Sequence, residues 1–185
     1  MASVRFIEES DIQRVLDIYS PFVESTAISF EITSPSLEDF KGRVFEVTQT
    51  HPWLVYESEN HIAGFAYAAP HRVRKAYDWV CEVSVYIDPF YQKRGIGPLL
   101  YEKLFLSLKN LGYYQALAGI TLPNPPSEKL HQMMGFQKVG VYPKIGFKMG
   151  QWQDVIWYQK ELQQGQPHSA PKTFSSMRDK NKLLL

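Results

Sequence analysis

The segment "YQKRGIGPLL", residues 91–100, sets two glycines one residue apart between a basic pair, Lys93 and Arg94, and an apolar run. Glycine lets a backbone approach a ligand closely, and N–H groups at a helix start lack intrahelical acceptors, so a turn of this kind can cradle a phosphate. A Walker A loop needs four residues between its glycines and a following Lys-Ser/Thr pair. A dinucleotide loop needs a third glycine where Leu100 stands, so both are set aside. What remains is a pyrophosphate cradle running from Lys93 to Pro98, in which Pro98 costs little because the first N–H groups of a helix have no partner to lose. Two titratable side chains flank it, Glu82 before and His131 after, the latter four residues beyond Ser127 and on its helical face. Histidine exchanges protons near neutral pH. In "HRVRKAY", Arg72 and Arg74 add guanidinium forks that suit a carboxylate. Each signal alone has an ordinary reading as a turn, a solvated edge carboxylate, a surface histidine or a charge run. Their order along one domain is what gives them weight together.

These residues need elements to hold them. From Trp79 to Ile87, Cys81, Val83, Val85 and Ile87 fall on one face of a strand and Val80, Glu82, Ser84 and Tyr86 on the other. After the glycine turn, Leu100, Leu104, Leu108 and Leu111 repeat at helical spacing, with Gly112 placed to end the helix. A strand at 114–120 follows, so a right-handed crossover and a parallel strand pair are expected. "LPNPPSEKLHQMMGF" predicts a short helix opened by Pro126 or Ser127 and closed by Gly135. Upstream, a strand at Val4–Ile7 leads to a helix capped by Ser10. A second helix capped by Ser36 turns Phe40, Val44 and Phe45 to the core. "WLVYE" and "IAGFAYAAP" read as a hairpin around "SEN", and a second, Gly-rich hairpin is expected around Gly146 and Gly150.

The chain has 185 residues, 44% of them hydrophobic, which suits one core better than two. With 20 Lys and Arg against 19 Asp and Glu, the net charge of +1 gives no reason to expect nucleic acid as partner. Cys81 is the sole cysteine and sits in an apolar run. It therefore reads as a core residue, with no disulfide framework and no metal-ligand spacing. No basic, apolar leader opens the sequence and no apolar stretch approaches the roughly 20 residues a membrane span needs, so a cytoplasmic protein with no membrane partner is expected. From about Gln163 the composition turns polar and Pro/Ser-rich. One domain over 1–162, a flexible tail over 163–185 and an exposed closing "LLL" are the expectation.

The string "QKRGIG" (Gln92–Gly97) resembles the acetyl-coenzyme A (acetyl-CoA) loop of the GNAT acetyltransferases, Gln/Arg-x-x-Gly-x-Gly/Ala. "NPPSEKLHQMMGF" resembles a second element of that family through Asn124, Ser127, Leu130, Gly135 and Phe136. His131 stands where many members carry a tyrosine. That histidine, with "HPWLVYE", "AGFAYAAPHRVRKAYDWVCEVSVYI", "TLPNPPSEKLH" and "GFKMGQWQDVIWYQ", resembles the phosphinothricin and methionine sulfoximine N-acetyltransferase branch from about residue 4 to 160. The resemblance implies an α/β GNAT fold: a mixed, mostly antiparallel sheet with a parallel pair at the acetyl-CoA cleft, flanked by helices. It implies acetyl-CoA as co-substrate, no metal, a small amino acid-like acceptor and a homodimer. It carries catalytic roles onto Glu82, as general base, and His131, as second acid/base. Backbone pairing with the pantetheine falls to Val85, Tyr86 and Ile87, and pyrophosphate binding to Gln92, Lys93, Arg94, Gly95, Ile96, Gly97 and Pro98. Asn124 and Ser127 would meet the cofactor arm, while Phe30, Arg72, Arg74 and Tyr77 would form the acceptor side. The first of the two arginine positions is usually lysine in that branch.

Overall fold

The structure, a computed structural model, describes residues 2–178. The closing "LLL" lies outside the described residues. Seven strands form one sheet: β1 (Ser3–Phe6), β2 (Trp53–Ser58), β3 (His61–Pro70), β4 (Val80–Ile87), β5 (Gln115–Thr121), β6 (Gln137–Lys148) and β7 (Gln151–Glu161). Their order is β1-β2-β3-β4-β5-β7-β6, antiparallel at every contact except β4–β5. Two helices, α1 (Ile12–Ser25) and α2 (Leu37–Thr50), cover one face, and α3 (Ile96–Leu111) covers the other. Two short helices complete the fold, α4 (Pro125–Met133) and α5 (Phe174–Arg178).

Strand alternation divides the core. Leu54, Cys81, Val83, Ala116 and Ala118 pack with Leu100, Leu104, Leu108 and Leu111 of α3. Trp53, Val55 and Phe65 pack on the other face with Val15, Tyr19, Phe40 and Val44. Burying each of the α3 leucines contributes about 1.5–3 kcal/mol relative to exposure, so this helix is strongly held against the sheet. Gly112 ends it in the left-handed region (φ +97), its N–H bonded to the Leu108 and Lys109 carbonyls. Glu59 and Asn60, both at positive φ, make the tight β2–β3 turn.

Two local expectations are corrected. Asp11, in place of Ser10, organises the start of α1, because its carboxylate accepts from the Glu8 N–H (2.8 Å) and is gripped through two nitrogens by Arg5 (2.6 and 2.8 Å). Ser36 does cap α2, accepting from the Asp39 N–H (3.1 Å), but Phe45 is 71% exposed. One residue past Val44 is a turn of about 100°, which carries Phe45 off the buried stripe. The segment after Gln163 packs on the domain as far as it is described. Phe174 and Met177 are buried in the α3-side core, and the Phe174 ring meets Phe6 edge-on at 4.9 Å. Backbone oxygens of Ser169 and Gln166 accept from Trp79 Nε1 (2.8 Å) and the Tyr114 hydroxyl (2.9 Å). Two apolar anchors and these bonds attach a segment whose composition is otherwise polar.

Candidate active site

The β4–β5 pair is incomplete. Cα partners run only from Val80↔Gln115 to Glu82↔Leu117, although β4 continues to Ile87 and β5 to Thr121, while β3 stays paired to β4 from Pro70↔Cys81 to Gly64↔Ile87. Beyond Glu82 the two strands therefore part, and among the described residues no strand lies beside that edge of β4. The gap is a cleft of about 60 Å³ lined by Val83–Tyr86 of β4, Ala118–Thr121 of β5, Tyr101, Asn124, Ser127 and His131, with Ile28 from the α1–α2 connection.

Glu82 sits where the pairing ends. It alternates with Cys81 and Val83, which face α3, so its carboxylate lies on the α1/α2 face. Its Oε1 is 2.7 Å from His71 Nδ1, and its side chain is 38% exposed. A group on that face keeps a carboxylate reachable from solvent.

His131 is buried on the α3 face among Tyr101, Phe136 and Tyr158. Burial pushes its pKa down, only partly opposed by the bond to the Ser127 carbonyl, which keeps the ring neutral near pH 7. A carbonyl oxygen only accepts, so Nδ1 donates to Ser127 O (2.8 Å) and Nε2 accepts from the Tyr101 hydroxyl (3.0 Å), whose own pKa burial drives far up. Ser127 Oγ lies 3.4 Å from the same Nδ1. Asn124 is the N-cap of α4, its side-chain oxygen accepting from the Ser127 N–H (3.3 Å), and Pro125 takes the first helical position.

The glycine turn leads into α3, which begins at Ile96, earlier than the leucine run indicates. Asp88 anchors the approach by accepting from the Phe90 N–H (2.9 Å) and pairing with Arg14. Gln92 and Arg94 fold back onto the Ile87 and Phe90 carbonyls (3.4 and 3.0 Å), and the Arg94 guanidinium lies over Tyr91. Gly95 holds φ +77, and a Cβ on Gly97 would stand 3.2 Å from Leu130, so both positions favour the absence of a side chain. The first turn of α3 contains no acidic residue.

A scan against protein families matches residues 4–157 to the acetyltransferase (GNAT) domain. The chain belongs to this family. It is 33% identical over 160 residues to a phosphinothricin N-acetyltransferase of Streptomyces viridochromogenes, covering 86% of this chain and 87% of that protein. It is 30% identical over 173 residues to an L-methionine sulfoximine/L-methionine sulfone acetyltransferase of Salmonella typhimurium, covering 91% and 98%. Among solved structures, a GNAT superfamily phosphinothricin acetyltransferase from Sinorhizobium meliloti in complex with AcCoA superposes with a TM-score of 0.88 at 30% identity, covering 94% of this chain and 97% of that one.

This GNAT chain brings some sequence-named residues together and leaves others apart. Val85, Tyr86, Asn124, Ser127 and His131 share the cleft. Ile87 packs toward the α3-side core at the end of β4, where the glycine turn begins. Arg72 and Arg74 are exposed on the β3–β4 connection. Tyr77 lies edge-on to His71 at 5.5 Å and borders a separate cavity beneath the tail. Phe30 packs over Gly146 of β6, where any side chain would overlap its ring, and Ile28 takes the place at the cleft. Sequence reasoning missed His71 and Tyr101. The β3–β4 register sets Ala69 opposite Glu82, so a residue two further along shares that face, and this was a usable signal for His71. Tyr101 carried no such signal, because no short-range rule joins α3 to α4.

Proposed function

We propose that this chain transfers the acetyl group of acetyl-CoA directly to the α-amino group of a small amino acid-like acceptor, with phosphinothricin or methionine sulfoximine favoured and an ordinary amino acid as the natural alternative. The carrying observation is that Glu82 and the His131–Tyr101 pair stand on opposite faces of the sheet at the point where β4 and β5 part. Two partners can thus meet through the sheet, each with its own proton-transfer group.

The residues present fit the co-substrate. The first N–H groups of α3, Gly95, Gly97, Lys93 and Arg94 would hold the pyrophosphate, and the unpaired edge of Val85, Tyr86 and Ile87 would meet the pantetheine amides. Acetyl-CoA supplies an acetyl thioester. Glu82 takes a proton from the acceptor nitrogen as that nitrogen bonds to the acetyl carbon and the C–S bond breaks. His131, with the Tyr101 hydroxyl on its Nε2, is the second acid/base: the departing thiolate would take its proton from this pair, and the proton held by Glu82 would pass through water to restore the pair, so that the amine loses one proton and the thiol gains one. Arg72 and Arg74 would bind the anionic groups of the acceptor. Cys81 supplies no nucleophile, since it is buried and burial drives its thiol pKa far up. A reducing cytoplasm is the setting that suits a single unpaired thiol.

A second copy is the partner. β6 is an edge strand, and Val139, Ile145 and Phe147 on it are 62%, 55% and 58% exposed, with Trp152 of β7 at 57%. Long apolar edges in soluble proteins are normally covered, and pairing with the same edge of another copy covers this one. Sedimentation should give a dimer that Phe147→Glu dissociates; a monomeric wild type would refute it.

Thiol release on mixing acetyl-CoA with phosphinothricin, methionine sulfoximine and the ordinary amino acids tests the activity. Release with at least one is expected, and none with any of them would end this reading.

A further inference from the structure

The base of this reaction is not a free carboxylate. His71 follows the last residue of β3, and the register Ala69↔Glu82 puts residues 69 and 71 on the face of Glu82. Its Nδ1 lies 2.7 Å from Glu82 Oε1, and its Nε2 accepts from Arg72 Nε at 3.3 Å. A guanidinium only donates, so Nε2 carries the lone pair and Nδ1 the hydrogen. The bond to Glu82 is therefore N–H to carboxylate. The ring itself is confined, with a side chain only 15% exposed and edges set against Tyr77 (5.5 Å, 76°) and Trp157 (6.2 Å, 72°). Glu82 is the more exposed partner, on a side chain with three rotatable torsions.

We propose that His71 is the positioning residue for Glu82: its Nδ1–H occupies Oε1, so that Oε2 is the oxygen presented to the acceptor amine. This rests on the acetyltransferase reading above. Arg72 sets the tautomer, Tyr77 and Trp157 set the ring plane, and the ring fixes the base. A general base must lie within hydrogen-bond reach of the proton it removes, and a misplacement of about 1 Å can cost on the order of 100-fold in rate. His71 thus acts on turnover through Glu82, without touching either substrate.

The test compares His71→Phe, which fills the ring's space without a donor, with His71→Asn, whose amide nitrogen reaches the place of Nδ1. The full chain is assayed for thiol release from acetyl-CoA with phosphinothricin, alongside acetyl-CoA affinity and thermal midpoint. His71→Phe should lower kcat about 10- to 100-fold with KM for acetyl-CoA unchanged, while His71→Asn stays within about threefold of wild type. Should the Phe variant not fold, His71→Leu repeats the donor-free arm. In a Glu82→Gln background, losing the donor should change kcat less than about twofold, because the group being positioned is no longer a base. Equal kcat for His71→Phe and wild type overturns the proposal, as does an Asn variant no better than Phe or a full additive loss in the Gln background. A wild-type chain that releases no thiol with any amino acid acceptor overturns the acetyltransferase reading, and this proposal with it. An active wild type with an indifferent His71 overturns the positioning role alone.

Discussion

The two ends of the β4–β5 pair contain similar chemistry and differ in what the backbone does. At the paired end, Tyr114 and Gln115 N–H groups reach the Trp79 carbonyl, Leu162 N–H reaches the Tyr114 carbonyl, and the tail closes over Trp79. A buried histidine, His51, sits there between the Tyr113 hydroxyl (2.9 Å) and Thr50 (2.7 Å). At the parted end, His131 sits between the Tyr101 hydroxyl and the Ser127 carbonyl. Both rings are 4% exposed and burial lowers both pKa values. The paired end even has the larger cavity, about 230 Å³ against 60 Å³. Neither burial, a tyrosine partner nor cavity size tells the two histidines apart. The unpaired edge of β4, the glycine turn and Glu82 belong to the parted end, and on the proposed reading they give a ligand something to bond and a proton somewhere to go.

If that contrast is right, substitutions at the parted end should cost turnover and those at the paired end should cost stability. The largest effect is expected from Glu82→Gln, with kcat down about 10²- to 10⁴-fold while the thermal midpoint and acetyl-CoA affinity hold. Unchanged turnover would remove the base from the parted end and dissolve the contrast. The converse variant is Phe174→Ala. Its ring is fully buried against Phe6, so about 3–5 kcal/mol of stability should be lost, read as a thermal midpoint roughly 6–20 °C lower, with kcat of the folded enzyme near wild type. A selective loss of kcat would instead make the tail part of the site.

How far the sequence reached follows the same division. The faces of 79–87 were legible because strict alternation has one solution, and the glycine turn because few functions need basic residues, two glycines and a leucine helix in that order. The packing of Phe174 and Met177 was not legible because these two anchors are diluted by polar neighbours that bond through their backbone, where composition is blind. Phe45 was misread because an apolar side chain does not by itself fix burial: one residue past Val44 it stands about 100° off the stripe that Phe40 and Val44 define. The His71–Glu82 bond required the hairpin register, which is a pairing property and belongs to neither strand alone.

The paired end also predicts a pH response. Burial lowers the pKa of His51 from 6.5 to about 4, so the unfolded chain binds the extra proton more readily than the folded one. Stability is then fully present above pH 6.5 and is lost as pH falls toward 4, by on the order of 3 kcal/mol for this group. His131 shifts in the same direction and adds to the loss. Urea midpoints at pH 7.5 and 4.5 check this, and His51→Gln should flatten the slope without removing it. An unchanged slope would show that His51 is not held neutral by the closed end.

The smallest expected effect asks whether the parted end is built before its ligand arrives. Among the described residues no atom lies within 4 Å of a Cβ placed on Gly95, so Gly95→Ala acts through its φ of +77 and not through a clash. An L-residue in that region costs about 1–2 kcal/mol. The turn is tied down by the Asp88 bond to Phe90 N–H and by Arg94 on the Phe90 carbonyl, so the strain is present in the free protein. Gly95→Ala should therefore lower stability by roughly 1 kcal/mol and change KM for acetyl-CoA less than about threefold, since free and bound states carry the same strain. A KM raised tenfold with stability intact would mean that the turn takes this shape only around its ligand, and the parted end would then differ from the paired end in order as well as in chemistry.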